Sequence, residues 1–122
     1  MKAFKKRSLK EKFLEKNIYI GLTNLNNGFD SKSIKYFSKK DFQRILTRVE
    51  KFGLGIYGIE PFENGKYFDC KVYEEYSEDP TDKNWYHRAF NEFVEKNEGC
   101  TSTQVLQYSA SYFIPYSLLR SM

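Results

Sequence analysis

Few residues of this chain could carry chemistry: a single histidine, His87, the cysteines Cys70 and Cys100, and scattered carboxylates, of which Glu60 and Asp69 matter most. Zinc sites draw on several His or Cys at short spacing. Cys70, His87 and Cys100 are too few and too scattered for that, so no metal site and no cofactor is expected. A Cys–His nucleophile pair is not forbidden by distance along the chain. Cys100, however, follows a helix C-terminus, where the dipole disfavours a thiolate. Cys70 falls among apolar neighbours, which leaves a thiol inert. No phosphate loop, dinucleotide fingerprint or nucleophile elbow is present. The glycines of Leu54-Gly55-Ile56-Tyr57-Gly58 read as permitting close packing or a bulge within a strand.

The chain has 122 residues, with 40% hydrophobic and 30% charged residues, and one folded domain is expected. Aromatics reach 18%, including 10 Tyr and 11 Phe. Disorder, a collagen-like repeat and a disulfide scaffold are excluded by this composition, and no stretch approaches a membrane span. Formal net charge is +4 and is concentrated in residues 1–12, with Lys2, Lys5, Lys6, Arg7, Lys10 and Lys12 against Glu11. No apolar run follows these basic residues, so a secretory signal is not expected, the thiols read as reduced and the location reads as cytoplasmic.

The elements that must position these residues follow from periodicity and end signals. Ser8-Leu9-Lys10-Glu11 is a capping-box pattern that opens a short helix over about 9–16. Ile18-Tyr19-Ile20-Gly21-Leu22 alternates with period two and reads as a strand, and residues 24–33 read as a loop. Ser38 caps a helix over 39–52 whose Phe42, Ile45, Leu46, Val49 and Phe52 share one face, and Gly53 closes it. Strands follow over 54–60 and 67–76, joined at Asn64-Gly65, a hairpin signal. Asp79-Pro80-Thr81-Asp82 turns into a helix over 83–97 that buries Trp85, Tyr86, Ala89, Phe90, Phe93 and Val94, with Gly99 as its end. A last strand runs over 105–114 and stops at Pro115. The resulting order is βαββαβ after an extra N-terminal helix. That predicts an α+β fold, a ferredoxin-like split βαββαβ two-layer sandwich with a four-stranded antiparallel sheet. The divisions expected are a basic arm and helix over 1–17, the domain over 18–115 and a tail over 116–122.

A two-residue turn at Asn64-Gly65 pairs Glu63 with Lys66 and, running outward, Ile59 with Cys70 and Tyr57 with Val72. This set, with Phe68, is apolar and is predicted to lie beneath the helices. The opposite face then carries Phe62 across from Tyr67, Glu60 across from Asp69, and Ile56 across from Tyr73, with Lys71 between them. A slip of one residue would exchange the two faces. Opposed carboxylates are unfavourable unless a cation compensates, which marks Glu60 and Asp69 as a point that meets a basic group.

These readings favour a small non-enzymatic interaction module. Its open face (Tyr67, Tyr73, Glu60, Asp69, Lys71 and Phe62) would bind protein, either a second copy as a homodimer or a basic partner, in the manner of an immunity or inhibitor protein. Tyr suits interfaces because a large ring is buried at small entropic cost. An alternative is a single-strand RNA binder. Ile18-Tyr19-Ile20-Gly21-Leu22-Thr23-Asn24-Leu25 resembles the first-strand motif of RNA-recognition-motif domains, with two extra residues before Asn-Leu. That resemblance implies base stacking on Tyr19, Tyr67 and Tyr73, and the basic arm adds phosphate contacts from Lys5, Lys6 and Arg7. Lys66-Tyr67-Phe68-Asp69-Cys70-Lys71-Val72-Tyr73 departs from the third-strand motif by lacking its glycines. A third reading is an enzyme or small-ligand binder using Glu60, Asp69 or His87.

Overall fold

The computed structural model describes residues 8–63, 66–67, 70–98 and 106–120. Ser8 accepts from the Glu11 amide at 3.0 Å and opens α1, Leu9–Phe13, as the capping pattern predicts. The chain then widens into a π-helical turn, Leu14–Ile18, closed by Tyr19 N–H donating to the Leu14 carbonyl at 2.8 Å.

Residues 18–22 are therefore not a strand. Their alternation does not describe one face: Ile18 is fully buried while Ile20 is 60% exposed. The carbonyls that a strand would offer to a neighbour are taken instead by Arg48, whose Nη1 donates to Ile18 O and Ile20 O at 2.8 Å each. Gly21, at φ 79°, turns the chain away. Without that strand the described residues do not form the βαββαβ, ferredoxin-like sheet. They form an α+β fold with an open antiparallel sheet on which the helices pack.

Helix α2, Lys39–Phe52, has the predicted bounds, with Ser38 accepting from Asp41 N–H and Gly53 at φ 68° closing it. Helix α3 is Lys83–Glu98. Phe42, Ile45, Leu46, Val49, Phe90 and Phe93 are all buried in one core, as expected, and Phe13, Leu14 and Ile18 join them. Gly99 and Cys100 lie outside the described residues.

The central strand is β1, Gly55–Glu63, with β4, Leu106–Phe113, along one side. Its other side holds two short pieces, β2, Lys66–Tyr67, and β3, Lys71–Val72. A short helix α4, Tyr116–Arg120, follows Pro115. Phe62 pairs with Tyr67 and Glu63 with Lys66, in the predicted register. Beyond them the register moves by one: Ile59 pairs with Lys71, not Cys70, and Gly58 pairs with Val72.

The cause is Pro61. Tyr108 exchanges both backbone bonds with Phe37, so the Pro61–Tyr108 pair is not hydrogen-bonded and the Pro61 nitrogen faces the β2–β3 side. Having no N–H, it cannot hold a partner there, and proline in sheets accompanies such irregularities. A second irregularity is a bulge on β1: Ile56 faces Tyr112 and Gly58 faces Ser111, leaving Tyr57 as the extra residue. It brings Ile56 to the helix side, fully buried, and sends Tyr57 outward. The glycines of this strand act as expected, since a Cβ on Gly55 would sit 3.0 Å from the Pro80 backbone.

Candidate functional site

Both irregularities redraw the open face. Lys71 lies on the helix side, its Nζ 3.5 Å from Glu92 and 5.4 Å from the Phe93 ring centre. Tyr76 donates to Glu92 Oε1 at 2.5 Å, and this bond, with Lys71 and Arg88 nearby, holds the Glu92 carboxyl below the ordinary range. Cys70 is exposed, which corrects the expectation that it is buried beneath the helices. Tyr73 is not in a strand but begins a 3-10 turn, Tyr73–Glu75, and packs partly against the core.

Phe62 stays on the face away from the helices yet is only 5% exposed. The loop 24–36 covers it, with Tyr36 and Phe29 ring centres at 4.7 and 5.4 Å. Asn26 organises that loop: its side-chain nitrogen donates to Asp30 O, Ser31 O and Ile34 O, and its oxygen accepts from Gly28 N and Asp30 N. The loop's Asn- and Ser-rich sequence signalled irregular backbone but not a cover for the sheet. Asp69 and Phe68 lie outside the described residues, as does the Asn64-Gly65 turn, and of Tyr67 only the backbone is described. The facing of Glu60 and Asp69 is therefore not part of the described structure. Across β4, Glu60 pairs with Ser109.

What the face does present is an aromatic cluster missed by the sequence reading. Tyr57, 40% exposed, stands 6.1 Å from Tyr73 and 6.2 Å from Phe113 between ring centres. Lys10 of α1 lies 6.0 Å from the Tyr57 ring centre. Directly after Tyr73 the chain carries exposed Glu74, Glu75, Glu78 and Asp79. The signal available beforehand was Gly58 beside Tyr57, a pattern that marks a bulge and hence a redirected side chain.

Tyr19, the expected stacking residue, is wedged 5.0 Å from Phe37 and 6.1 Å from Tyr112, and burial pushes its phenol up to about 12. The ring thus packs among core aromatics rather than standing on a sheet strand. Lys5, Lys6 and Arg7 lie outside the described residues. His87 sits on the flank of α3 and meets Glu50 of α2 at 2.9 Å, with Lys83 3.5 Å from the same carboxylate. That exposed group ties two helices together. Among the described residues no His, Cys, Asp or Glu group could hold a metal ion. No described helix is long and apolar enough to cross a membrane.

Fold and surface together define a small α+β chain with one open antiparallel sheet face. Comparison with protein-family models, with curated proteins and with solved structures finds no match for this chain.

Proposed function

We propose that this chain is a non-enzymatic interaction module that docks a basic protein on the aromatic end of its open sheet face. The observation that carries this reading is Tyr57, lifted out by the β1 bulge and grouped with Tyr73 and Phe113. A bulge that spends ladder hydrogen bonds to expose a tyrosine is what an interface anchor needs. The choice of a basic partner follows from charge. Although the chain is net +4, the exposed Glu74, Glu75, Glu78 and Asp79 follow Tyr73 closely along the chain. Such a stretch speeds encounter with a cationic surface and repels phosphate.

Tyr73 and Glu60 remain in this reading, and Lys71 and Phe62 leave it because one faces α3 and the other is covered. Affinity capture with wild-type chain and with Tyr57→Ala/Glu74→Lys as bait tests it. Basic proteins retained by the wild type and released by the variant are the expected result. Capture unaffected by the variant overturns the reading, and a wild-type dimer broken by Tyr57→Ala replaces the basic partner with a second copy.

A further inference from the structure

The outward side of α2 departs from two local preferences that helices ordinarily follow. With 3.6 residues per turn, Lys40, Arg44, Thr47, Arg48 and Lys51 fall within an arc of about 100°. That arc is turned away from the buried positions Phe42, Ile45 and Val49. Thr47 apart, every residue in it is a cation, over a length of about 16 Å. Lys40 and Arg44, and again Arg44 and Arg48, stand at i,i+4, where like charges destabilise a helix. Lys40 also lies in the first turn, where the dipole disfavours a cation. Solubility does not require this arrangement, because mixed signs at the same positions would add stability instead.

The carboxylates of α2 are engaged elsewhere. Asp41 accepts the Thr23 N–H at 3.2 Å, and Glu50 is met by His87 and Lys83 of α3. Among the described residues, neither Lys40, Arg44, Arg48 nor Lys51 forms an ion pair. Lys40, Arg44 and Lys51 are exposed. Arg48 is half-buried, its Nη1 donating to Ile18 O and Ile20 O at 2.8 Å each. Both acceptors are neutral, so the guanidinium is held in place without losing its charge. The segment that supplies those carbonyls adds a further exposed cation, Lys16.

We infer that this face of α2 docks on the phosphate backbone of a nucleic-acid duplex. A duplex carries about one negative charge per 1.7 Å of its axis, so a row of about 16 Å meets phosphate along its whole length. Protein surfaces intersperse both signs, which makes an acidic protein the poorer match. Within the arc α2 offers no aromatic ring, whereas single strands are held by stacking on such rings. Contacts to phosphate alone fix position and carry no base preference. The face lies on the helix side of the sheet, away from the outward-turned Tyr57, so the inference does not rest on that surface.

The test is fluorescence anisotropy of labelled DNA and RNA duplexes of unrelated sequence with the full chain, across a salt series. Sequence-independent binding to a duplex is expected, with a slope of log affinity against log salt of about −3.5, one phosphate for each cation of the row. Lys40→Gln/Arg44→Gln should weaken binding at low salt at least tenfold and make the slope shallower by about 2. The melting temperature of that variant should hold or rise, because like-charge neighbours are removed; a merely structural role would lower it. Should the variant fail to fold, Thr47→Glu, at an exposed position in the middle of the row, serves instead and should weaken binding as strongly. Absence of salt-dependent binding to either duplex overturns the inference. So do tighter binding to oligothymidylate, equal binding to polyglutamate, or affinity and slope that persist unchanged in the folded variants.

Discussion

At the scale of single residues, Asn26 and Cys70 make the sharpest expectations. Every polar atom of the Asn26 side chain is engaged with its own loop, so removing it leaves several backbone groups to find new partners. Asn26→Ala should cost about 1 kcal/mol, the usual net worth of a hydrogen bond, since the freed groups are exposed or half-buried and reach water. The loop should also loosen over Phe62, measured by denaturant unfolding and by hydrogen exchange at Tyr36. Cys70 is exposed, so it should react with a thiol reagent in the native protein; labelling only after unfolding would contradict the register beyond Pro61. Tyr76, donating to Glu92, lowers that carboxyl's pKa. A carboxyl lowered in the folded state adds stability above its unfolded pKa, and that stability is lost as pH falls through the folded value. Wild type should therefore lose more melting temperature than Glu92→Gln between about pH 6 and pH 3.

Elements show why some of this was legible and some was not. Helix α2 could be read to its last residue because its apolar period, its Ser38 cap and the Gly53 stop agree, and all three are local. Gly53 adopts φ 68°, so Gly53→Ala should cost about 1–2 kcal/mol, the price of a Cβ in the left-handed region, read as a lower melting temperature. Residues 18–22 carried an equally clean alternation, yet Arg48, far along the chain, takes their carbonyls. No local pattern reports that. The hairpin was legible near its turn and failed past Pro61, whose missing N–H matters only once the side it faces is known. Nor could alternation alone place Tyr57, because one inserted residue reverses the parity of everything before it.

For the molecule as a whole, the core joins both helices to β4. Phe90 packs on Phe42 and Tyr108 with ring centres 5.2 and 5.0 Å apart. Phe90→Ala should cost about 3–5 kcal/mol, and an unchanged melting temperature would refute the packing. Tyr19, Tyr86 and Tyr108 are pushed up by burial to about 12. A group whose folded pKa is raised loses its contribution as pH climbs through the window between unfolded and folded values. Alkaline unfolding above the ordinary tyrosine range should accompany their ionisation, followed by absorbance and circular dichroism together. The class of fold and the helical core were thus readable from sequence, whereas the make-up of the open face depended on a one-residue register shift past Pro61 and on the β1 bulge at Tyr57.

Pro61 has a further consequence for how many structures this sequence can choose between. Upstream and downstream of it, the two halves of the hairpin obey registers that differ by one residue. A residue with an N–H at 61 would let the turn-proximal register propagate without interruption, setting Cys70 against Ile59 and drawing the thiol inward. Pro61→Val should then set the two registers in competition, with thiol labelling splitting into a fast and a slow population. By withholding one donor, the proline works as an editor of alternatives, leaving the chain a single reading of its own hairpin.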